Sequence, residues 1–193
     1  MKFTSNAPRP FLVETEIARF FAMSWFQLFP SPMIKDRALL IGAGLRLWCA
    51  IGRSGVTSRK REGDGATPRG TIRPLTVYRR VGRWRGQLFH LPSRDIKSHD
   101  GWCDDPRSPR YNRLVTLPFP GSHESLWRED HLYDLIIETD WNAYPAKKGC
   151  GSAIFIHLAR PGLKPTEGCL AFHRKDLALL LRRLNRKSRI VIR

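Results

Sequence analysis

Apolar and polar positions in the second half of the chain predict short β-strands and one helix. Residues 133–139 have strong β-formers at their centre, and residues 152–158 are apolar almost throughout, as in a strand buried on both faces. In residues 174–184, leucines recur at i, i+3, i+4 and i+7, the spacing of a core-facing helical stripe, and Asn185 suits the C-terminal cap. Arg189–Ile192 is then predicted to form a closing strand.

The first half of the chain has shorter apolar runs separated by turn-forming residues. Residues 45–51 are predicted to form a strand, followed by a long functional loop over residues 52–70 that is rich in Gly, Ser and charge. A further strand is predicted over residues 72–78, at a sheet edge because Pro74 has no N–H to donate. Residues 91–125 carry five prolines and indicate a loop-rich insertion. This pattern predicts a mainly β (α+β) domain, sandwich-like, with a helix packed on it.

The first 36 residues differ in composition from the remainder and end in a Pro-Ser-Pro segment. We therefore interpret residues 1–36 as an N-terminal extension and residues 37–193 as the folded domain. Within the extension, residues 17–29 are strongly apolar, but Glu14 and Glu16 precede them. Three interpretations stay open: an atypical export signal, a helix docked on the domain, or upstream sequence from a misplaced start codon. No apolar run is long enough to predict a transmembrane helix.

Net charge is the unusual feature of the composition. The chain carries 34 Lys and Arg against 17 Asp and Glu, a net charge of +17, with basic clusters over residues 174–193 and at Arg79, Arg80, Arg83 and Arg85. Such an excess indicates a polyanionic partner, which could be nucleic acid, an anionic membrane surface or carboxylate-rich peptidoglycan. A solvated basic face that aids solubility is the plainer alternative.

Candidate chemistry is concentrated in residues 154–172. His157 ends a predicted buried strand, and Cys169 follows twelve positions later, after a loop that can return the chain to the strand end. A thiol becomes a strong nucleophile when a nearby imidazole takes its proton, and Gly168 lets the backbone approach a substrate closely. The backbone amides around Gly168 would stabilise an oxyanion. The alternative is a small buried cysteine beside a structural histidine.

Position also predicts the reactivity of the cysteines, which are Cys49, Cys103, Cys150 and Cys169. Cys169 is expected to lie just before the predicted helix, whose N-terminal amides favour negative charge, and to be the most reactive thiol. Cys49 lies in an apolar strand, where burial raises a thiol pKa. Cys103 and Cys150 are expected in loops and could pair in an oxidising compartment.

The same segment resembles the catalytic signature of the L,D-transpeptidase (YkuD) family. His157 matches the strand-borne histidine of that signature, Thr166 its hydroxyl position, and Gly168-Cys169 its nucleophile turn. Residues 63–72 are similar to the family's Thr-Pro-x-Gly element, and the blocks DGWCDDP, YNR, LWREDHLYDLI and GSAIFIHLARP resemble a proteobacterial branch. The resemblance covers about residues 40–193.

This resemblance implies a YkuD-like β-sandwich of mixed sheets and a specific chemistry. Cys169 would attack a carbonyl of a peptidoglycan tetrapeptide stem, with His157 as proton acceptor and then donor, and the thioester would pass to an amine. Water as acceptor would give a carboxypeptidase, and a lipoprotein lysine would give an anchoring enzyme. The resemblance further implies a periplasmic or cell-envelope location and no cofactor or metal. It does not indicate an oligomeric state.

Two positions depart from the family pattern. Glu167 replaces a second histidine, and Ala171 replaces a residue that is commonly polar. Glu167 would hydrogen-bond a substrate amine or cap the loop. Thr166, Glu167 and Arg160 are the candidate substrate-binding residues, with Arg160 as the candidate carboxylate clamp.

Two other functional classes agree with parts of the sequence. A basic nucleic-acid binder would use aromatic residues interleaved with arginine, as residues 78–84 offer in part, but no nucleic-acid-binding motif is present. A metal-dependent hydrolase would draw on dispersed polar residues whose spacing matches no metal motif, namely His99, Cys103, Asp104, His123 and His131. His131 could line a cleft or form a surface salt bridge.

Overall fold

The computed structural model describes residues 25–84 and 89–193. These form fifteen strands, one helix (α1, Arg174–Leu181) and a 3-10 turn (Pro161–Leu163). The strands are β1 (Trp25–Pro30), β2 (Arg37–Gly42), β3 (Leu45–Ala50), β4 (Val56–Thr57), β5 (Thr67–Pro68), β6 (Gly70–Ile72), β7 (Pro74–Arg79), β8 (Ser93–Asp95), β9 (Asp100–Cys103), β10 (Arg113–Thr116), β11 (His123–Ser125), β12 (Leu135–Thr139), β13 (Ile156–Leu158), β14 (Leu170–Phe172) and β15 (Arg189–Ile192).

Ten strands form one mixed sheet in the order β6-β15-β1-β2-β3-β14-β13-β12-β7-β8. Only Arg73 separates β6 from β7, although these strands are first and ninth in the order. The sheet must therefore curl until its two ends approach each other. Its inner face and the leucines of α1 enclose one apolar core, to which Phe26, Phe172 and Leu180 contribute. The predicted mainly β sandwich with a packed helix is confirmed, and one curled sheet provides both of its layers.

Strand β1 corrects the predicted domain boundary at residue 36. It lies between β15, which it pairs in parallel, and β2, which it pairs antiparallel. Phe26 and Leu28 are fully buried in the core, whereas their neighbours on β1 face outward. Buried and exposed side chains therefore alternate along Trp25–Pro30, as in a strand with one face on the core. This part of the supposed extension is neither a docked helix nor separate from the domain. Residues 1–24 lie outside the described residues.

Other predictions for the first half of the chain are confirmed in part. The strand predicted at residues 45–51 is β3, and residues 52–70 form a long connection that contains the short strands β4 and β5. The edge position expected for β7 is wrong, because β7 pairs with both β12 and β8, and Pro74 is tolerated there as the first residue of the strand. The insertion predicted as loop-rich contains a three-stranded sheet, β10-β9-β11.

Near the C-terminus, β13, β14 and α1 position the candidate site. β13 and β14 are adjacent and parallel, and α1 packs against β3 and β13 through its predicted leucine stripe. Two details differ from the predictions. β14 intervenes between Cys169 and α1, so the thiol is not at the helix N-terminus, and the helix ends at Leu181 with Arg182 as its C-cap in place of Asn185.

Candidate functional site

A cleft of about 600 Å³ lies on the outer side of β13 and β14 and contains the candidate catalytic residues. Cys169 and His157 both line it, together with Thr166, Glu167 and Arg160. Its walls carry both signs of charge: the basic residues are Lys60, Arg128, Arg160 and Lys164, and the acidic residues are Glu62, Asp104, Glu124 and Glu167. The cleft therefore suits a ligand that itself carries both signs of charge.

Strand register brings Cys169 and His157 to the same face of the sheet. His157 pairs with Ala171 and Ile156 with Leu170, and the Leu170 N–H bonds to the Phe155 carbonyl at 2.9 Å, which continues the pairing toward Cys169. Side chains alternate along a strand, so Cys169 and His157 are diagonal neighbours on the face opposite the main core. Phe155 packs on that same face, in a second apolar cluster.

The Cys169 thiol is neutral and held by backbone groups. It donates to the Ala153 carbonyl at 3.1 Å and accepts from the Phe155 N–H at 3.3 Å. Asn112 Oδ1 accepts from the Ala153 N–H at 3.0 Å, which helps to hold Ala153 in its positive-φ conformation. Within the described residues, no hydrogen bond joins the thiol to His157.

Burial raises the pKa of the Cys169 thiol to about 12, and the Glu124 carboxyl also raises it. The expected activation of this thiol by a helix N-terminus is therefore wrong for the protein without a ligand. Burial also raises the Cys49 pKa, as predicted, while Cys103 lies buried in β9 and not in a loop. All four cysteines are free, so the alternative of a Cys103–Cys150 pair is not realised.

His157 is buried and suited to accept a proton. Its Nδ1 lies 2.8 Å from the Leu158 carbonyl, which requires a hydrogen on Nδ1 and leaves the lone pair on Nε2. Burial lowers the pKa of His157 to about 4, and the nearby Arg128 and Arg160 charges act in the same direction. The imidazole is thus neutral at physiological pH.

Two residues that sequence reasoning did not select complete the environment of His157. The Tyr133 ring packs edge-on against the His157 ring, with centroids 5.3 Å apart. The Tyr133 hydroxyl donates to Glu124 Oε1 at 2.6 Å, and burial raises the pKa of that carboxyl. Tyr133 lies within a block that resembles the family, whereas Glu124 approaches the site only through the β9–β11 pairing and has no local signal.

The turn before Cys169 is held by two threonines. The Thr166 hydroxyl donates to the Cys169 carbonyl at 2.7 Å and accepts from the Gly168 N–H at 3.1 Å. The Thr67 hydroxyl, from the Thr-Pro-x-Gly element, donates to the Gly168 carbonyl at 2.9 Å and accepts from the Gly52 N–H at 2.9 Å. The Thr-Pro-x-Gly element therefore contacts the turn before Cys169 directly.

Gly168 is required by both conformation and space. Its φ is +135°, which L side chains rarely adopt, and a Cβ there would lie 2.7 Å from the Ala66 carbonyl oxygen. The Gly168 amide, predicted as an oxyanion donor, is already bonded to Thr166. The Cys169 N–H has no acceptor within the described residues, so it is free to donate to a ligand.

The remaining candidate substrate-binding residues lie at the cleft rim. Glu167 is exposed and forms an ion pair with Arg53, a residue of the connection over residues 52–70. Arg160 is exposed, lines the cleft and has no ion pair within the described residues, which leaves it available for a carboxylate.

The residues considered for a metal-dependent hydrolase do not converge. Asp104 and His123 line the cleft, Cys103 is buried in β9, and exposed His131 approaches Asp134 at 3.1 Å in a salt-bridge arrangement. Within residues 25–84 and 89–193, no three His, Cys, Asp or Glu side chains are arranged to hold a metal ion.

Alkylation of Cys169 by iodoacetamide is expected to be slow at neutral pH and to accelerate continuously as the pH rises toward 12. Only the thiolate reacts, and burial keeps its fraction small. Peptide mapping after brief labelling across a pH series measures this, with denatured protein as the reference for an ordinary thiol. A labelling rate for Cys169 that levels off below pH 8 would contradict it.

Stability is expected to decrease by about 3 kcal/mol between pH 6.5 and pH 4 through His157 alone. The folded-state pKa lies near 4 and the ordinary value is 6.5, so the unfolded chain binds the extra proton. The contribution is present above pH 6.5 and is lost as the pH falls through 4. Denaturant unfolding of His157→Gln should show a weaker acid dependence, whereas exposed His99→Gln should behave like the unaltered protein.

Thr67→Val is expected to lower the free energy of unfolding by about 2–4 kcal/mol and to reduce turnover. Valine has nearly the same shape but leaves the Gly168 carbonyl and Gly52 N–H unpartnered in a buried place. Thr71→Val, at an exposed position on β6, is the matched control and should change neither quantity. Equal effects of the two substitutions on unfolding would argue against this role for Thr67.

The sequence matches the model of the L,D-transpeptidase catalytic domain (YkuD) over residues 36–192. No curated protein and no solved structure matches it. The match spans β2 to β15 and includes the cleft, the histidine strand and the nucleophile turn. The chain therefore belongs to the L,D-transpeptidase catalytic domain (YkuD) family.

Proposed function

We propose that the protein is a peptidoglycan L,D-transpeptidase that transfers an acyl group from a tetrapeptide stem, through a Cys169 thioester, to an amine. The observation that carries the proposal is the shared face of β13 and β14, where a thiol and a neutral imidazole lie together at the base of a charged cleft. Family membership supports the reaction class, and these two side chains are the chemistry that it needs.

Both reacting groups are neutral before substrate enters, so proton transfer accompanies attack. The thiol leaves the Ala153 carbonyl and gives its proton to His157 Nε2 while sulfur forms a bond to the substrate carbonyl carbon. The protonated imidazole then gives this proton to the departing amine of the terminal D-Ala, and the C–N bond breaks. Leu158 holds the imidazole in the required tautomer throughout.

The acceptor step reverses the same movements. His157 takes a proton from the attacking amine, the new C–N bond forms, and the C–S bond breaks with return of the proton to the Cys169 thiol. The Cys169 N–H is the candidate donor to the oxyanion in both steps, because the Gly168 N–H is committed to Thr166. Thr166 thus acts on the turn and not on the substrate.

Charge on the cleft walls supports a stem peptide as substrate. Such stems carry free carboxylates and amines, and the cleft offers Arg160 and Lys164 for the former and Glu124 and Glu167 for the latter. We place the enzyme in the periplasm or cell envelope, where this substrate lies. The described part of the chain contains no helix with the length and hydropathy of a membrane span.

Hydrolysis is the second candidate activity, since water in place of the amine would release a tripeptide from the same thioester. Because the Glu167–Arg53 pair at the cleft is exposed, water can enter the cleft there, which supports this alternative.

The nucleic-acid alternative receives less support. In residues 78–84, Arg79 pairs with Asp95, Arg80 stacks on Trp127, and Tyr78 and Trp84 are buried. These side chains therefore make contacts within the protein that stabilise its fold. Arg85, the last member of that basic cluster, lies outside the described residues.

Purified muropeptides incubated with the protein and analysed by mass spectrometry distinguish these activities. Crosslinked dimers would establish transpeptidation, tripeptides alone would establish hydrolysis, and unchanged muropeptides would refute both. Loss of D-Ala without any dependence on Cys169 would show that the thioester mechanism is wrong.

A further inference from the structure

An apolar surface ringed by arginine covers the outer side of β15, β1, β2 and β3. Strand register aligns Phe29, Leu39 and Trp48 in one row across three strands, because Phe29 pairs with Leu39 and Leu39 with Trp48. Trp25 stands on the same side of β1, and Val191 on the adjoining β15. We call these outward residues the arginine-rimmed face.

The apolar side chains of this face are exposed to an unusual degree. Trp25 is 62% exposed, Trp48 50% and Phe29 41%, and Met33 and Ile34 in the β1–β2 turn are exposed beside them. Single exposed apolar residues are ordinary on protein surfaces, but a contiguous group of this kind marks an interaction site.

Charge on this face has one sign. Strands β1, β2, β3 and β15 contain no Asp or Glu. Arg46, Arg189 and Arg193 lie around the aromatic residues, and within the described part of the chain none of the three has a carboxylate partner. Their charges therefore remain available to an anionic partner.

We propose that the arginine-rimmed face binds the surface of an anionic lipid bilayer. Tryptophan rings prefer the boundary between headgroups and acyl chains, and arginines beside them attract anionic headgroups. Aliphatic side chains such as Leu39 and Val191 add contacts with acyl chains. The hydroxyls of a glycan strand are neutral and would leave the charges of these arginines without an anionic partner, and the one uncharged polar side chain on β1, that of Gln27, is bonded to Arg193.

The catalytic cleft would then open beside the membrane. Ala50 at the end of β3 pairs with Ala171 of β14, so the two point to the same side of the sheet. Trp48 shares that side with Ala50, and Cys169 shares it with Ala171. The inference adds a location to the proposed function and stands independently of it, because it concerns a surface that contains no catalytic residue.

Vesicle flotation with the full chain tests the proposal. We expect binding to vesicles of phosphatidylglycerol mixed with phosphatidylcholine and little binding to phosphatidylcholine alone. The double variant Trp25→Ser/Trp48→Ser, which leaves the net charge unchanged, should bind at least about tenfold more weakly. Leu179→Ser, at an exposed position on α1, is the matched control and should bind normally.

Two arginine variants, and assays of other binding partners, complete the test. Each of Arg46→Gln and Arg189→Gln should weaken vesicle binding by about fivefold. Absence of binding to the anionic vesicles, or equal binding by the double tryptophan variant, would overturn the proposal. It would also be overturned if that variant changed only the self-association of the protein or only its binding to purified sacculi. Turnover on soluble muropeptides should persist in all of these variants, which separates this inference from the proposed activity.

Discussion

Cys169→Ala is expected to lower turnover on muropeptides by at least about 10³-fold while the protein stays folded. Alanine removes the sulfur that forms the thioester, and no other described cysteine lines the cleft. The loss of one sulfur atom should leave the fold intact, because Cys169 is partly exposed and both hydrogen bonds of its thiol are to backbone groups. Mass spectrometry of muropeptide products measures turnover, and circular dichroism reports the fold.

His157→Ala and Cys150→Ala complete this test. His157→Ala should approach the loss of Cys169→Ala, because the thiol, with a pKa near 12, needs a proton acceptor, and the nearby Glu124 carboxyl already accepts a hydrogen bond from the Tyr133 hydroxyl. Cys150→Ala is the matched control, since Cys150 is partly exposed and lies outside the cleft. Substantial product formation by Cys169→Ala, or an equal loss in Cys150→Ala, would contradict the assignment of the nucleophile.

Phe26→Ala is expected to lower the free energy of unfolding by about 3–5 kcal/mol. Phe26 lies fully buried on an inner strand of the ten-stranded sheet, where its ring contributes to the core. Domains of this size have a total stability of about 5–15 kcal/mol, so the variant should lose a large part of it. Urea unfolding monitored by tryptophan fluorescence measures the change.

Phe29→Ala provides the matched control on the same strand, three residues away and 41% exposed. It should change stability by less than about 1 kcal/mol. A chain that begins at Lys35 lacks β1 and should not fold, because β2 and β15 would both lose their partner. Equal effects of the two phenylalanine substitutions, or normal folding of the shortened chain, would support the domain boundary that composition predicted at residue 36.

Local patterns predicted many of the elements but not their ends. The leucine stripe of α1 and the apolar run of β13 were evident because each residue's neighbours in the chain share its environment. The helix ends at Leu181 and not near Asn185, and β13 begins at Ile156 and not near Ser152. Ala153 adopts a positive φ that its sequence neighbours do not require. Asn112, which accepts the Ala153 N–H, comes from a distant part of the chain, so no local pattern predicted this conformation.

The amino-acid sequence by itself determined the mainly β class and the family, and it selected Cys169 and His157 as the candidate pair, because these depend on periodicity and on residues twelve positions apart. Only the tertiary structure decided that β1 belongs to the sheet, that Thr67 holds the Gly168 turn and that Tyr133, which is bonded to Glu124, packs against His157. It also decided the resting state of the thiol, since the pKa of Cys169 depends on burial by segments far apart in the chain. Desolvation and hydrogen bonding act between residues that are close in space. A sequence pattern predicts these effects only where the residues are also close in the chain.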